Sequence, residues 1–337
     1  MPKLLYLSCH SIAEFLEIQL LKELGFEVFS HGSYTDPRHP GDPKRPPLDW
    51  KTHQWFMDDV ARNVDKNNLN EWFLQKFDVI FSHWMPDWIA NNWEKMHGKT
   101  VILRTNGQSI KETEQLIAKY KNRGLKVVRY SPLERLIPDY CGEDAMIRFF
   151  LDENEYSNWN GSEPRIMNMT QSMIKRERFC NYRIFEESTC GLPRVLYGPQ
   201  NEEADFWGGC LSHEKQKQEL RDNRVYFYTG TYPACYTLNF IEAFMTGIPV
   251  VAVSEKYGNA DFLQHKTYEV ADFIENNFSG LVGNTPEELR NYCEILLNDR
   301  GLAERIGQHG RQKAIEIFGR EKIKKQWKEF FKKEGVL

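Results

Sequence analysis

The sequence predicts an α/β protein of two halves, each a parallel sheet wrapped by helices, and three observations carry that reading. Short β-rich runs alternate with amphipathic helical patterns along most of the chain, as happens when helices cross over a parallel sheet. A polar, turn-rich stretch, Asp152–Ser162, interrupts the alternation near its middle. The 337 residues suffice for two ordinary domains, each with its own core.

The first half begins with the apolar run Lys3–Ser8, read as a strand. An amphipathic helix follows near Ile12–Leu24, and Gly25 stops it. Glu27–Ser30 reads as the second strand. A Pro-rich polar segment, residues 32–50, then reads as a loop, long enough to line a site or a partner surface. Helical patterns come next near His53–Asn63 and Leu69–Gln75, with strands at Asp78–Ser82, Thr100–Arg104 and Lys126–Tyr130. The second half supplies strands at Arg165–Met169, Arg194–Tyr197, Val225–Tyr228, Pro249–Val253 and Gly280–Val282, and closing helices from Pro286 to near Lys333. Each half has the size of one nucleotide-binding unit, which implies two Rossmann-like domains facing each other across a cleft.

Composition excludes several classes. A net charge of −4 offers no basic excess for holding nucleic acid. The one dense basic run, Gly319–Gly335, is interrupted by its own Glu residues and reads as a solvated helix face. No stretch approaches the roughly 20 apolar residues that span a bilayer, and Glu14 and Glu17 come too early for a signal peptide. Seven Cys, without a C-x-x-C pair, suggest reduced thiols and neither disulfides nor zinc. The N-x-S/T matches at Asn160, Asn168 and Asn277 read as chance without an export signal. The expected compartment is the cytoplasm, with peripheral contact at the cytosolic membrane face as an option. Aromatics at 13%, with nine Trp, suit packed cores or carbohydrate-like ligands.

In parallel α/β sheets, ligands bind beyond the carboxyl ends of the strands. In the first half those positions are polar: His10, His31, His83, Asn106-Gly107-Gln108 and Ser131. His10, His83 and Asn106 are the candidates for catalysis, weighed against packed or capping histidines and a turn-forming asparagine. In the second half the informative segment is Thr237–Val253. Its helix, Leu238–Met245, is apolar on nearly every face and therefore buried. Glu242 sits in the middle of it, and a buried carboxylate needs a partner, either a protein cation or a ligand offering hydroxyls. Thr237 is placed to cap the helix, and Gly230 and Tyr232-Pro233 precede it. The N–H groups and dipole end from Leu238 onward would attract a diphosphate. Gly247 ends the helix before an apolar strand.

The order Glu242-Ala243-x-x-x-Gly247-x-Pro249-Val250-Val251 resembles the donor-binding signature of GT-B glycosyltransferases, specifically the retaining "group 1" (family 4-like) enzymes. Phe273-Ile274 through Asn277-Phe278-Ser279-Gly280-Leu281-Val282 is similar to the stretch that follows in that family. So are Pro286-Glu287-Glu288-Leu289 and Ile306-Gly307-x-x-Gly310-Arg311, and the tail with Trp327 is similar to its C-terminal helix, which crosses back to the N-domain. The resemblance implies an acceptor domain over residues 1–158, a nucleotide-sugar donor domain over 159–318, and the crossing helix over 319–337. It implies that Glu242 holds the ribose diol while backbone amides meet the diphosphate. Of the family's Arg and Lys pair, one position falls on Gln171 and the other on Arg176, so Arg176 is assigned to the diphosphate, with Lys175 as understudy. The family's first carboxylate, which touches the transferred sugar, falls on Ala234. The glycine-rich loop after its first strand is replaced by Ser8-Cys9-His10-Ser11, and the histidine some members carry after the fourth strand would fall near Asn106 or Gly107.

The implied reaction moves a sugar from a UDP- or GDP-sugar substrate to an acceptor hydroxyl with retention. No cofactor and no metal are expected, in keeping with the lack of a D-x-D pair. The acceptor would be a glycan, a lipid-linked molecule or a small molecule. A non-catalytic sugar-nucleotide or glycan-binding protein, motivated by Ala234 and Gln171, is the rival, with a sugar-nucleotide epimerase or phosphorylase beside it. A nicotinamide dehydrogenase would show G-x-G-x-x-G after its first strand, which is absent. Transfer to a modified nucleic-acid base draws no support from the charge balance.

Overall fold

The computed structural model describes residues 1–32, 54–263 and 265–337, so nearly all of the Pro-rich loop expected at 32–50 lies outside the described residues. Two compact units form: Met1–Arg148 together with Ile323–Leu337, and Phe149–Lys322.

The sheet of unit 1 is parallel throughout, in the order β2-β1-β3-β4-β5-β6. Its strands are β1 (Lys3–Ser8), β2 (Glu27–His31), β3 (Val79–His83), β4 (Thr100–Arg104), β5 (Lys126–Arg129) and β6 (Ala145–Met146). Between them run α1 (Ser11–Glu23), α2 (Gln54–Ala61), α3 (Glu71–Leu74), α4 (Pro86–Asn92) and α5 (Lys111–Lys121). Helices on both faces leave the strands no water-facing side, which is why they read as continuous apolar runs. One core gathers Leu5, Leu7, Phe29, Phe73, Ile80 and Leu103. A second layer comes from the end of the chain: Trp327 meets Phe81 at 5.5 Å and Phe331 meets Phe26 at 4.6 Å between ring centroids.

The sheet of unit 2 is also parallel, in the order β12-β11-β10-β7-β8-β9. Its strands are β7 (Glu163–Met169), β8 (Arg194–Tyr197), β9 (Trp207–Gly209), β10 (Asn223–Tyr228), β11 (Val250–Val253) and β12 (Leu281–Gly283). Its helices are α6 (Glu177–Cys180), α7 (Tyr182–Thr189), α8 (His213–Asp222), α9 (Leu238–Thr246), α10 (Glu255–Gly258), α11 (Val270–Phe273), α12 (Pro286–Asn298) and α13 (Arg300–Phe318). The last helix, α14 (Arg320–Lys333), carries the chain from unit 2 into unit 1. Residues 149–158, given to the first domain by the sequence reading, belong to unit 2. They are tied there by Leu151 N donating to Phe318 O at 3.2 Å and by the Arg311 guanidinium donating to the Glu153 carbonyl at 2.6 Å. Among the described residues no helix is long and apolar enough to cross a membrane.

α9 is closed by Gly247 at φ 88° and packs backbone to backbone on α13. A methyl on Gly307 would overlap the Gly247 carbonyl oxygen. Backbone cannot yield as a side chain can, so Gly307→Ala should cost roughly 1–3 kcal/mol. Urea denaturation reads the loss; a midpoint equal to the wild type's would mean the helices separate freely.

Candidate functional site

In unit 2 the chain runs from β7 to β8 and β9 on one side, then to β10, β11 and β12 on the other. The strand order thus reverses between β7 and β10, where open parallel sheets leave a crevice at their carboxyl ends. Three asparagines tie together the loops leaving these strands. Asn239, in the first turn of α9, donates to Met169 O at 2.5 Å. Asn201 donates to Thr170 O and accepts from Met173 N, both at 2.7 Å. Asn181, left-handed at φ 52°, donates to Thr229 O at 2.8 Å and to the Tyr232 hydroxyl oxygen at 2.6 Å.

Thr237 occupies the N-cap position of α9, but its side chain does not cap the helix. Its hydroxyl pairs instead with Tyr228 Oη at 3.0 Å and with Asn239 Oδ1. The first turn, from Leu238, also lacks an acidic side chain. Its N–H groups and positive dipole end are therefore left for an anion. Arg176 stands at the start of α6, half-buried, and its guanidinium makes no ion pair among the described residues. The turn that carries it is brought to the same strand edge by Tyr232 N donating to Phe179 O at 2.8 Å. The structure thus gathers Gly230, Tyr232, Thr237, Leu238 and the Arg176 turn. Lys175 is exposed and drawn to Glu203, 3.5 Å away.

Glu242 is 2% exposed. Its carboxylate accepts from the Tyr156 hydroxyl at 3.0 Å and from the Gln216 amide of α8. These two partners are neutral donors of the protein itself. Beside them the His213 side chain bonds Glu155 and, against partial burial and with the Lys217 charge, holds that carboxyl down at about 2.

In unit 1 the strand order reverses between β1 and β3. His10, His83 and Asn106 follow or end β1, β3 and β4, three adjacent strands, so the structure brings them to one edge. His83 is 1% exposed, with Nδ1 3.2 Å from Glu17 Oε2. Glu17 also accepts from the Tyr6 hydroxyl at 2.5 Å and from Arg104 Nε at 3.3 Å. Burial pushes the Glu17 carboxyl up, but His83, Arg104 and Tyr6 outweigh it and hold it below its ordinary value. His10 is exposed and caps α1, its Nδ1 accepting from Ala13 N at 3.3 Å, with its ring 6.1 Å from that of His83. Asn106 is half-buried, and its Oδ1 meets no donor among the described residues. Gly107, at φ 78°, admits the Tyr130 hydroxyl where a side chain would collide. His31 is held at 2.6 Å by Asn63 O, and Ser131 caps a short turn with Glu134.

Solved structures similar to the whole chain include the following three. One is Anabaena HepE in complex with UDP-glucose, with a TM-score of 0.68 at 13% identity over 100% of both chains. Another is a glycosyltransferase from Rickettsia africae, with a TM-score of 0.69 at 13% identity over 98% of both chains. The third is an alpha-glucosyltransferase in complex with UDP-glucose and DNA containing an abasic site, with a TM-score of 0.62 at 9% identity over 98% of both chains. The fold is GT-B. No protein-family model and no curated protein matches the chain.

Within this GT-B chain, sequence reasoning missed the groups beneath the two edges. Arg129 donates to both oxygens of Glu114, at 2.8 and 2.7 Å, and to Glu134 at 3.5 Å. Burial pushes Glu114 up, yet Arg129 and Ser109 hold it below its ordinary value, whereas burial prevails at Glu134, which is raised. The available signal was Glu17 and Glu114 at apolar positions of helices, since carboxylates on a buried face require partners. The stitching asparagines carry no such mark. Among the described residues no group of three or more His, Cys, Asp or Glu is arranged to hold a metal ion.

Proposed function

We propose that this protein is a glycosyltransferase that moves a sugar from a UDP-sugar to an acceptor hydroxyl. The observation that carries the reading is the N-terminus of α9, without a side-chain cap, at the strand-order reversal, with the half-buried Arg176, which makes no ion pair among the described residues, on the same edge. UDP-glucose in HepE and in the alpha-glucosyltransferase, proteins of the same fold, supports UDP as the nucleotide.

In the reaction the acceptor oxygen bonds the anomeric carbon, the bond to the diphosphate breaks, and the electron pair leaves with UDP. The acceptor proton passes to the departing phosphate oxygen. Arg176 and the N–H groups from Leu238 onward stabilise that leaving charge without reorganising. The family resemblance assigns Glu242, on the buried face of α9, to the ribose diol. His10 and Asn106, the more open of the unit 1 candidates, would orient the acceptor, while His83 stiffens that edge through Glu17. Retention of configuration, a metal-free reaction and a cytoplasmic setting belong to the same proposal. The acceptor we assign is a glycan, a lipid-linked molecule or a small molecule. The net charge of −4 sets the chain against a nucleic-acid acceptor.

A thermal-shift screen of UDP, GDP and their sugars tests the nucleotide, because a ligand that binds only the folded state raises its stability. UDP and one UDP-sugar should raise the melting temperature; a screen in which no nucleotide does so would falsify the reading. Arg176→Ala should weaken UDP about tenfold, the loss of one charge-assisted contact, with the melting temperature of the free protein unchanged. Tight UDP-sugar binding with neither hydrolysis nor transfer to any acceptor is the outcome that selects the non-catalytic binding protein, which Ala234 and Gln171 favour. Sugar isomerisation without an acceptor would select an epimerase.

A further inference from the structure

Unit 2 carries an aromatic cluster beside the nucleotide-binding groups, sharing Tyr232 with them. Phe179, in α6, and Phe262, in the segment after α10, are 38% and 37% exposed. Their rings meet edge to face at 5.7 Å. Tyr232 meets the Phe262 ring edge-on at 6.5 Å, and the Arg178 guanidinium stands 4.6 Å from its centroid. The cluster is anchored, because Tyr232 N donates to Phe179 O at 2.8 Å and Asn181 holds the Tyr232 hydroxyl at 2.6 Å. Two partly exposed phenyl rings set edge to face, with a guanidinium over one of them, offer apolar ring surface next to N–H donors. A pyranose ring has the matching chemistry: a face of C–H groups to lie on the phenyl and hydroxyls to accept from the guanidinium.

We propose that Phe179, Phe262 and Arg178 form a stacking platform for the glycosyl ring of the donor. This rests on the transferase reading above, in which the diphosphate lies at the start of α9. There Glu242, bonded to Gln216 of α8, marks the ribose side. α8 enters β10 from the β9 side, whereas Phe262 follows β11, on the other flank of β10. Phe179 and Arg178 follow β7, so the cluster straddles β10 at the strand-order reversal, where the start of α9 holds the diphosphate. Tyr232, its third ring, is two residues from Ala234, where the resembling family has the carboxylate that touches the transferred sugar. A ring contact stands where the charged one is missing.

Calorimetry with UDP, UDP-glucose, UDP-galactose and UDP-N-acetylglucosamine on the wild type, Phe262→Ala and Phe262→Tyr decides the matter. Phe262→Ala should weaken the tightest UDP-sugar about fivefold or more while UDP changes by less than about twofold. Phe262→Tyr should restore the wild-type ratio. Because Phe262 is exposed, the melting temperature of the Ala variant should stay near that of the wild type, which separates lost contact from lost fold. Equal weakening of UDP and UDP-sugar would place the ring against the base and overturn the proposal; so would unchanged affinity for both. A wild type that binds none of the four ligands overturns the transferase reading itself, whereas intact UDP binding with insensitive sugar affinity removes only the platform.

Discussion

Glu242→Ala is expected to lower folding stability by about 2–4 kcal/mol, measured by urea denaturation of the free protein. The truncation removes the acceptor of two buried donors, the Tyr156 hydroxyl and the Gln216 amide. It also opens a cavity where only 2% of Glu242 is exposed. A stranded buried donor costs roughly 1–3 kcal/mol, so two of them dominate the loss even if water relieves one. Glu242→Gln should cost far less: it keeps the volume, its oxygen can accept from Tyr156, and Gln216 can turn its amide to present an acceptor. The pair of variants therefore separates two roles that the Ala variant alone confounds. If Glu242→Gln keeps its stability but loses UDP affinity, the carboxylate holds the ribose; if both persist, it serves only to seat α9 against α8. An Ala variant within about 0.5 kcal/mol of the wild type would show that the two donors find other acceptors.

Arg129→Ala should be at least as damaging, by about 3–5 kcal/mol, because it leaves two buried carboxylates facing each other without their cation. Arg129, Glu114 and Glu134 are all fully buried side chains. Arg129→Lys should recover only part of the loss, since one ammonium cannot reproduce the two parallel bonds to Glu114. The damage should reach the candidate acceptor edge as well. Glu134 accepts from the Thr105 hydroxyl and from Tyr130 N, both at 2.9 Å, and so braces the turn that presents Asn106. Denaturation of Arg129→Ala checks the stability, and turnover at saturating UDP-sugar checks the edge. A cooperative transition at the wild-type midpoint would show that the guanidinium is not needed.

The parallel strands are legible in the sequence because burial on both faces writes each as an unbroken apolar run. Lys3–Ser8, Thr100–Arg104 and Arg194–Tyr197 are read with the same bounds as the strands formed. β6 and β9 are not legible: they are two and three residues long at sheet edges, and neither period nor apolarity marks them. At the site, the α9 segment could be read as an anion-binding turn because Gly230, the apolar helix and Gly247 are local features. That Glu242 needs a partner could be read too. Tyr156 and Gln216 could not, for they lie 86 and 26 residues away and are neutral donors with no mark in the sequence. The His83–Glu17 pair, 66 residues apart in the chain, is hidden for the same reason. Distance along the chain, not weak chemistry, conceals these groups.

The crossing of α14 into unit 1 bears on the order in which the protein is made. Unit 2 is one uninterrupted stretch, while unit 1 is completed by Ile323–Leu337. A ribosome releases the chain from its amino end, and domains generally fold as they emerge. Here the amino-terminal unit emerges first yet is covered last, with Phe26 and Phe81 awaiting Phe331 and Trp327. All the residues of the carboxyl-terminal lobe are synthesised before that cover arrives. The nascent chain therefore carries an open sheet face through most of its synthesis, and the lobe begun second is the one that can close first.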